Sequence, residues 1–210
     1  MLPLLVVFLL VSYLLGSIPF GLIVARRHNV DLRKVGSGNI GAANAFRALG
    51  PAGGAAVLAL DGLKGVVAVT LAHFALLPGF LVPFAQVACG LAAILGHNYP
   101  VFLGFKGGKG IATSFGVLLA LSPQVALMAG LLWLGMVALT RYSSVGSLAA
   151  SLATPFLMVL YRQHPAYVLF GILAALLAFY RHRSNIQRLL AGQELTFDDP
   201  EGGRRRGTED

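Results

Sequence analysis

The stretch GIATSFGVLLALSPQVALMAGLLWLGMVALT, residues 110–140, decides how the chain must be folded. It is almost wholly apolar, yet Ser122-Pro123 divides it. Proline starts a helix well and continues one poorly, because it has no N–H and its ring clashes with the preceding turn. Two helices are therefore predicted, over 110–121 and 122–140. Twelve helical residues reach roughly 18 Å, against about 30 Å of hydrocarbon in a bilayer. The first piece must be a half-helix or be sheltered by its neighbours.

Further apolar stretches lie at 3–25, 52–77, 80–98, 144–161 and 165–181. The mean hydropathy is +0.77. Charged residues make up 11% of the chain, against about 25% in soluble domains. This predicts an all-α integral membrane protein, a compact bundle of seven transmembrane helices with one short. At 210 residues the chain is long enough for one bundle and too short for an added soluble catalytic domain. The expected organisation is a single transmembrane catalytic domain over 1–194. A polar tail over 195–210 follows, whose composition predicts disorder. Met1 to Ala25 lacks a basic n-region, and Arg26 and Arg27 follow the apolar run. That pattern reads as an uncleaved first span with its N-terminus outside.

Charge tests the span count. With seven spans, 14 of the 16 cations fall on the inner side, leaving Arg162 outside and Lys64 within a span. Merging 110–140 into one span would put the C-terminal cations outside, against the positive-inside rule. The C-terminus is therefore expected in the cytoplasm. The same rule explains the net charge of +8 without nucleic acid. The single cysteine, Cys89, excludes an internal disulfide and a cysteine-based metal site. No metal site or cofactor is expected.

Residues 1–192 carry 13 Lys and Arg but only two acids, Asp31 and Asp61. The cations gather at Gly/Asn-rich turns on the inner face, as suits phosphate, which carries about −1.5 to −2 near pH 7. In GSGNIGAANAFRALG (36–50), Gly36, Gly38 and Gly41 allow close backbone approach, and Ser37 offers a hydroxyl. Asn39 is placed to cap a helix starting near Gly41, whose free N–H groups suit an anion. Asn44 and Arg47 share a helical face. In GHNYPVFLGFKGGKG (96–110), Lys106 and Lys109 flank Gly107 and Gly108, and Gly110 follows. This is not a Walker A loop, since no Ser or Thr follows Gly-Lys, but it suits a phosphate cradle. His97 is either a donor to substrate or a structural histidine. In HRSNIQRLLAGQE (182–194), His182, Asn185 and Arg188 form one polar stripe, read either as part of a site or as an interfacial helix on lipid headgroups. Asp61 and Lys64 lie mid-span and either pair or face the site. Arg141, Tyr142 and Ser144 form a short inner turn.

The three segments resemble the three motifs of the acyl-phosphate–glycerol-3-phosphate acyltransferase family of bacterial membranes. SGNxGATNxxR is matched by Ser37, Gly38, Asn39, Gly41, Ala42, Asn44 and Arg47, with Ala43 where the family usually has Thr. GHxxPxxxxFKGGKGxAT is matched by Gly96, His97, Pro100, Phe105 to Gly110, Ala112 and Thr113. HRxNIxRLxxGxE is matched by His182, Arg183, Asn185, Ile186, Arg188, Leu189, Gly192 and Glu194. The resemblance implies acyl transfer from a fatty acyl phosphate to the sn-1 hydroxyl of glycerol 3-phosphate, at the cytoplasmic face of a bacterial inner membrane. It implies an upstream phosphate acyltransferase as the source of acyl phosphate. The catalytic residues it implies are Ser37, Arg47, Lys109, His182 and Asn185. The substrate-binding residues are Gly38, Asn39, Gly41, Asn44, His97, Lys106, Gly107, Gly108, Gly110, Ser144, Arg183, Arg188 and Glu194. An organic-anion transporter is the competing class, because a short half-helix aimed at glycine-rich turns is a transporter device. The absence of a Ser-His-Asp grouping, or of an Asp five residues after any His, favours a pre-activated donor.

Overall fold

The computed structural model describes residues 2–197, and every regular element among them is a helix. The division read at Ser122-Pro123 is observed: α5 spans Ile111–Leu121 and α6 Pro123–Thr140. The other main helices are α1 (Leu2–Ser17), α2 (Phe20–Arg26), α3 (Ala42–Leu71), α4 (Val82–Asn98), α7 (Ser143–Leu160), α8 (Pro165–Arg181) and α9 (Arg183–Leu190). Five helical segments are long and apolar enough to cross a membrane. A sixth is gained if α8 and α9, which meet at a 59° bend, count as one broken span. The short α5 is the remaining apolar helix of the seven expected.

Two boundaries differ from expectation. The apolar run 3–25 is broken at Pro19, which cannot donate a hydrogen bond and so separates α1 from α2. The motif helix and the next span join into α3 across a kink at Gly50-Pro51, where Gly50 has φ +76°. The break before Pro19 diverts the Phe20 N–H from Gly16 O to Ile18 O, and Lys64 reaches both carbonyls. Its Nζ donates to Gly16 O at 2.9 Å and Ile18 O at 3.2 Å while pairing with Asp61 Oδ1 at 2.9 Å. Each charge would cost about 2.5–3.5 kcal/mol alone at a helix centre in lipid. Pairing them and adding two carbonyl acceptors offsets that cost, so Lys64 is a structural cation.

The short α5 is sheltered by α3, because glycine removes the side chains between them. A Cβ on Gly65 would overlap Thr113 O, and one on Gly116 would overlap Gly62 O. Small residues let membrane helices approach this closely. Around α5 a buried cluster including Val117, Leu118, Leu121, Val125, Ala126, Met158, Ala166 and Phe170 joins α5 to α8. The motif-bearing turns lie at the opposite end of these helices.

Candidate active site

Asn44 organises the first motif from within. It is 1% exposed. Its Oδ1 accepts from Ser37 N at 3.0 Å. Its Nδ2 donates to Leu32 O, Val35 O and Asn39 O at 2.9–3.1 Å. Asn44 therefore holds the loop that presents Ser37. Asn39 does not cap α3 as expected; its Oδ1 takes the Gly41 N–H at 2.9 Å, and α3 starts at Ala42 with Gly41 as its N-cap.

The second motif folds over His97. Gly108 N donates to His97 O and Gly107 N to Asn98 O, at 3.1 and 3.2 Å. A Cβ on Gly108 would collide with the His97 ring. Behind the ring, His97 Nδ1 lies 3.6 Å from Asp61 Oδ1. Arg181 grips the turn from α8. Its Nε donates to Gly108 O at 3.1 Å, and one Nη donates to Gly107 O at 3.0 Å and Gly108 O at 2.7 Å. Its guanidinium stacks over Tyr99 at 5.0 Å. Lys109 then points inward and donates to Asn185 Oδ1. Burial, with Arg188, Arg47 and Arg181 adding repulsion, lowers the Lys109 pKa to about 8, although Glu194 opposes the shift. Lys106 departs from the expected cradle: it is exposed and lines neither cavity described below.

The third motif closes around Glu194, which is 9% exposed. Glu194 Oε1 accepts from Ser144 Oγ at 2.8 Å and from Asn185 Nδ2. Oε2 accepts from Arg188 Nε at 2.8 Å. A carboxylate thus fixes Asn185, which in turn holds Lys109. His182 lies at the bend beyond the end of α8, with Nδ1 2.8 Å from Ala178 O. A carbonyl only accepts, so Nδ1 carries the proton and Nε2 keeps its lone pair. Burial and the nearby Lys109 lower the His182 pKa to about 4, leaving it neutral at pH 7.

Residues 195–197, expected to belong to the polar tail, make defined contacts. Arg47 donates from Nε to Thr196 O at 2.8 Å and from Nη to Leu195 O at 3.3 Å. Phe197 N donates to Arg141 O at 2.7 Å, and its ring packs 4.4 Å from Phe46 and 6.3 Å from Trp133. Residues 194–197 are therefore a strap across the site; residues 198–210 lie outside the described structure.

Two cavities meet here. The polar one, about 230 Å³, is lined by Ser37, Gly38, Asn39, Gly107, Lys109, Arg181, Arg183, Ser184 and Arg188. The apolar cleft, about 460 Å³, starts at Arg47, His97, His182, Asn185 and Glu194. It runs between α5, α6, α7 and α8. Ser37, Asn39, Lys109 and Arg188 line both. A cationic chamber thus opens onto a lipid-like slot, the form expected of a site that joins a phosphate ester to an acyl chain.

A family model described as Glycerol-3-phosphate acyltransferase matches residues 6–192. The chain belongs to the glycerol-3-phosphate acyltransferase family. It is 48% identical over 188 residues to the glycerol-3-phosphate acyltransferase of Aquifex aeolicus, covering 89% of this chain and 95% of that one. It is 48% identical over 187 residues to that of Geobacter sulfurreducens, covering 89% and 94%. Its fold is similar to the crystal structure of PlsY (YgiH), an integral membrane glycerol 3-phosphate acyltransferase, in its glycerol 3-phosphate form. The TM-score is 0.85, with 42% identity, over 91% of this chain and 94% of that one. The lysophosphatidic acid form gives a TM-score of 0.84 and 41% identity, over 94% and 97%.

For this member of the family, the structure brings Ser37, Asn39, Arg47, Lys109, His182, Asn185, Arg188 and Glu194 to one place. Arg183 lines the polar cavity from an exposed position, stacked 4.9 Å over Tyr180. Ser144 reaches the site through Glu194. Gly41 and Gly110 line the polar end of the cleft. Ala43, where the family usually has Thr, also lines the cleft. Arg181 and residues 195–197 of the strap belong to the site although none of the three motifs marks them. The only signals were the adjacency of Arg181 to the third motif and the apolar Leu195 and Phe197 inside a polar tail.

Proposed function

We propose that this acyltransferase moves a fatty acyl group from acyl phosphate to the sn-1 hydroxyl of glycerol 3-phosphate, releasing 1-acyl-glycerol 3-phosphate and phosphate. The observation that carries this reading is the junction of a cationic cavity with an apolar cleft at Ser37, Asn39, Lys109 and Arg188. Glycerol 3-phosphate occupies the polar cavity, its phosphate facing Lys109, Arg181, Arg183 and Arg188. The acyl chain lies in the cleft, with its acyl carbonyl and phosphate at the junction near Ser37 and Arg47. That PlsY has a glycerol 3-phosphate form and a lysophosphatidic acid form supports these two molecules as the acceptor and the product.

An acyl phosphate is a mixed anhydride and already activated, so a covalent enzyme intermediate is unnecessary. The sn-1 oxygen attacks the acyl carbonyl carbon and forms the new ester bond. The bond from that carbon to the bridging phosphate oxygen breaks, and phosphate leaves with the electron pair. Catalysis is then positioning and charge stabilisation, by Ser37, Arg47 and Lys109 held through Asn185 and Glu194. The departing phosphate takes the hydroxyl proton. The departing phosphate, which gains negative charge as the bond breaks, is a better acceptor than His182, whose pKa is lowered to about 4. His182 Nε2 instead accepts a hydrogen bond from the non-reacting sn-2 hydroxyl and so orients glycerol 3-phosphate.

The three motifs face the cytoplasm of a bacterial inner membrane, with seven crossings and the N-terminus outside. An upstream phosphate acyltransferase supplies the donor. Protein purified in detergent, with acyl phosphate and glycerol 3-phosphate alone, tests the reaction. Turnover without a second compartment is expected, and its absence in folded protein overturns the proposal. Cysteines placed at Lys106 should label only from the cytoplasmic side; labelling from the periplasm would reverse the topology.

A further inference from the structure

The apolar cleft ends at a definite floor. Its outermost lining residues are Leu118 on α5, Ala126 on α6, Thr154 on α7 and Phe170 on α8, and all four are buried. Leu118, Ala126 and Phe170 belong to one packed cluster. The next layer outward, Leu121, Val125, Met158 and Ala166, is in that cluster and does not line the cleft. Above the floor, α7 and α8 present the small residues Ser147, Ser151, Gly171 and Ala174, while α5 and α6 add the larger Phe115, Leu127, Leu131 and Trp133 beside Gly130. A small-residue face on α7 and α8 above a packed floor leaves room for a slender chain that stops at one depth.

That depth is set by helix length. From His182 back to Phe170 the chain rises about 18 Å, and from Ser143 to Thr154 about 16 Å, at 1.5 Å per residue. An extended hydrocarbon chain advances about 1.25 Å per carbon, given C–C bonds near 1.5 Å and tetrahedral angles. The slot thus holds roughly 13–14 extended carbons beyond the reacting carbonyl. We propose that Phe170, supported by Leu118 and Ala126, is a specificity-determining residue that sets the preferred acyl chain at about 14–16 carbons. This rests on the acyl-cleft reading above. A longer chain must overpack the floor or leave the slot, and a shorter one leaves part of it empty.

The test uses purified full-length protein and saturated acyl phosphates of 8 to 20 carbons, with kcat/KM read at each length. The parent should peak at 14–16 carbons and fall at least about fivefold by 20. Phe170→Ala removes a ring reaching roughly 4 Å past its Cβ, and should move the peak two to four carbons longer. Ser151→Leu places a plug about 12 Å from Ser143 and should move it to about 10 carbons. If Phe170→Ala does not fold, Ser151→Leu and the parent profile decide. A parent profile flat from 10 to 20 carbons, or a peak unmoved in the folded variants, overturns the proposal. Direct binding of 1-acyl-glycerol 3-phosphates of the same lengths separates this test from that of the donor. If acyl phosphates are not turned over but product binding shows the same shifts, the donor assignment fails and the ruler stands.

Discussion

Arg181→Lys keeps the charge and removes the geometry. Arg181 makes three hydrogen bonds to the carbonyls of Gly107 and Gly108, at 3.1, 3.0 and 2.7 Å. A lysine is a point donor that can serve one of these carbonyls from that position. Two bonds from a charged group are then lost, at about 1.5–3 kcal/mol each. Arg181 is half-buried, which places the loss near the lower end, about 3 kcal/mol in all. The turn it holds carries Lys109, so the loss appears as misplacement of the catalytic cation. At about 1.4 kcal/mol per tenfold, kcat/KM for glycerol 3-phosphate should fall about 100-fold. Steady-state kinetics on purified protein measure this, with unchanged detergent-extracted yield and helical circular dichroism as controls. If Arg181 served only to obey the positive-inside rule, lysine would do as well. Activity within threefold of the parent would refute the clamp.

Other outcomes follow from the same geometry. Arg47→Ala should reduce turnover to near background while the protein still inserts and folds; near-parental kcat/KM would remove Arg47 from the site. Lys109 has a pKa lowered to about 8, so its cation is present below pH 8 and lost above it. The kcat/KM profile, which reports free-enzyme groups, should fall above pH 8, and Lys109→Arg should lose that limb even at reduced activity. An alkaline limb persisting unchanged in Lys109→Arg would assign it to another group. His182→Ala should mainly raise the KM for glycerol 3-phosphate and leave the acid limb in place. A kcat loss of several orders at constant KM, with the acid limb gone, would make His182 the base.

Much of this site was legible in one dimension. Ser122-Pro123 gave the short α5 because proline's missing N–H is a local property. The three motifs could be read because glycine, asparagine and cation are joined within each. What was illegible depends on distant partners. Arg181 beside a span looks the same whether it marks topology or grips a turn 73 residues away. Lys106 and Lys109 are equivalent in sequence, but Arg181 holds the Gly107–Gly108 carbonyls so that only Lys109 points inward. Asn44, which lines the cleft, is also a staple, because its donors meet loop carbonyls that fold back on it. Leu195–Phe197 were hidden by their polar neighbours; their anchors, Phe46, Arg47, Trp133 and Arg141, come from two other helices and a turn.

Donor identity tests the central claim most directly. Purified protein should be given radiolabelled glycerol 3-phosphate with palmitoyl phosphate, palmitoyl-CoA or palmitoyl-acyl-carrier protein, each as sole donor at equal concentration. The account predicts 1-acyl-glycerol 3-phosphate and one equivalent of phosphate from the acyl phosphate, with both thioesters slower by at least about 100-fold, as a cationic junction built for a compact phosphate implies. Transfer from palmitoyl-CoA or the carrier protein at a rate equal to that from palmitoyl phosphate would contradict it.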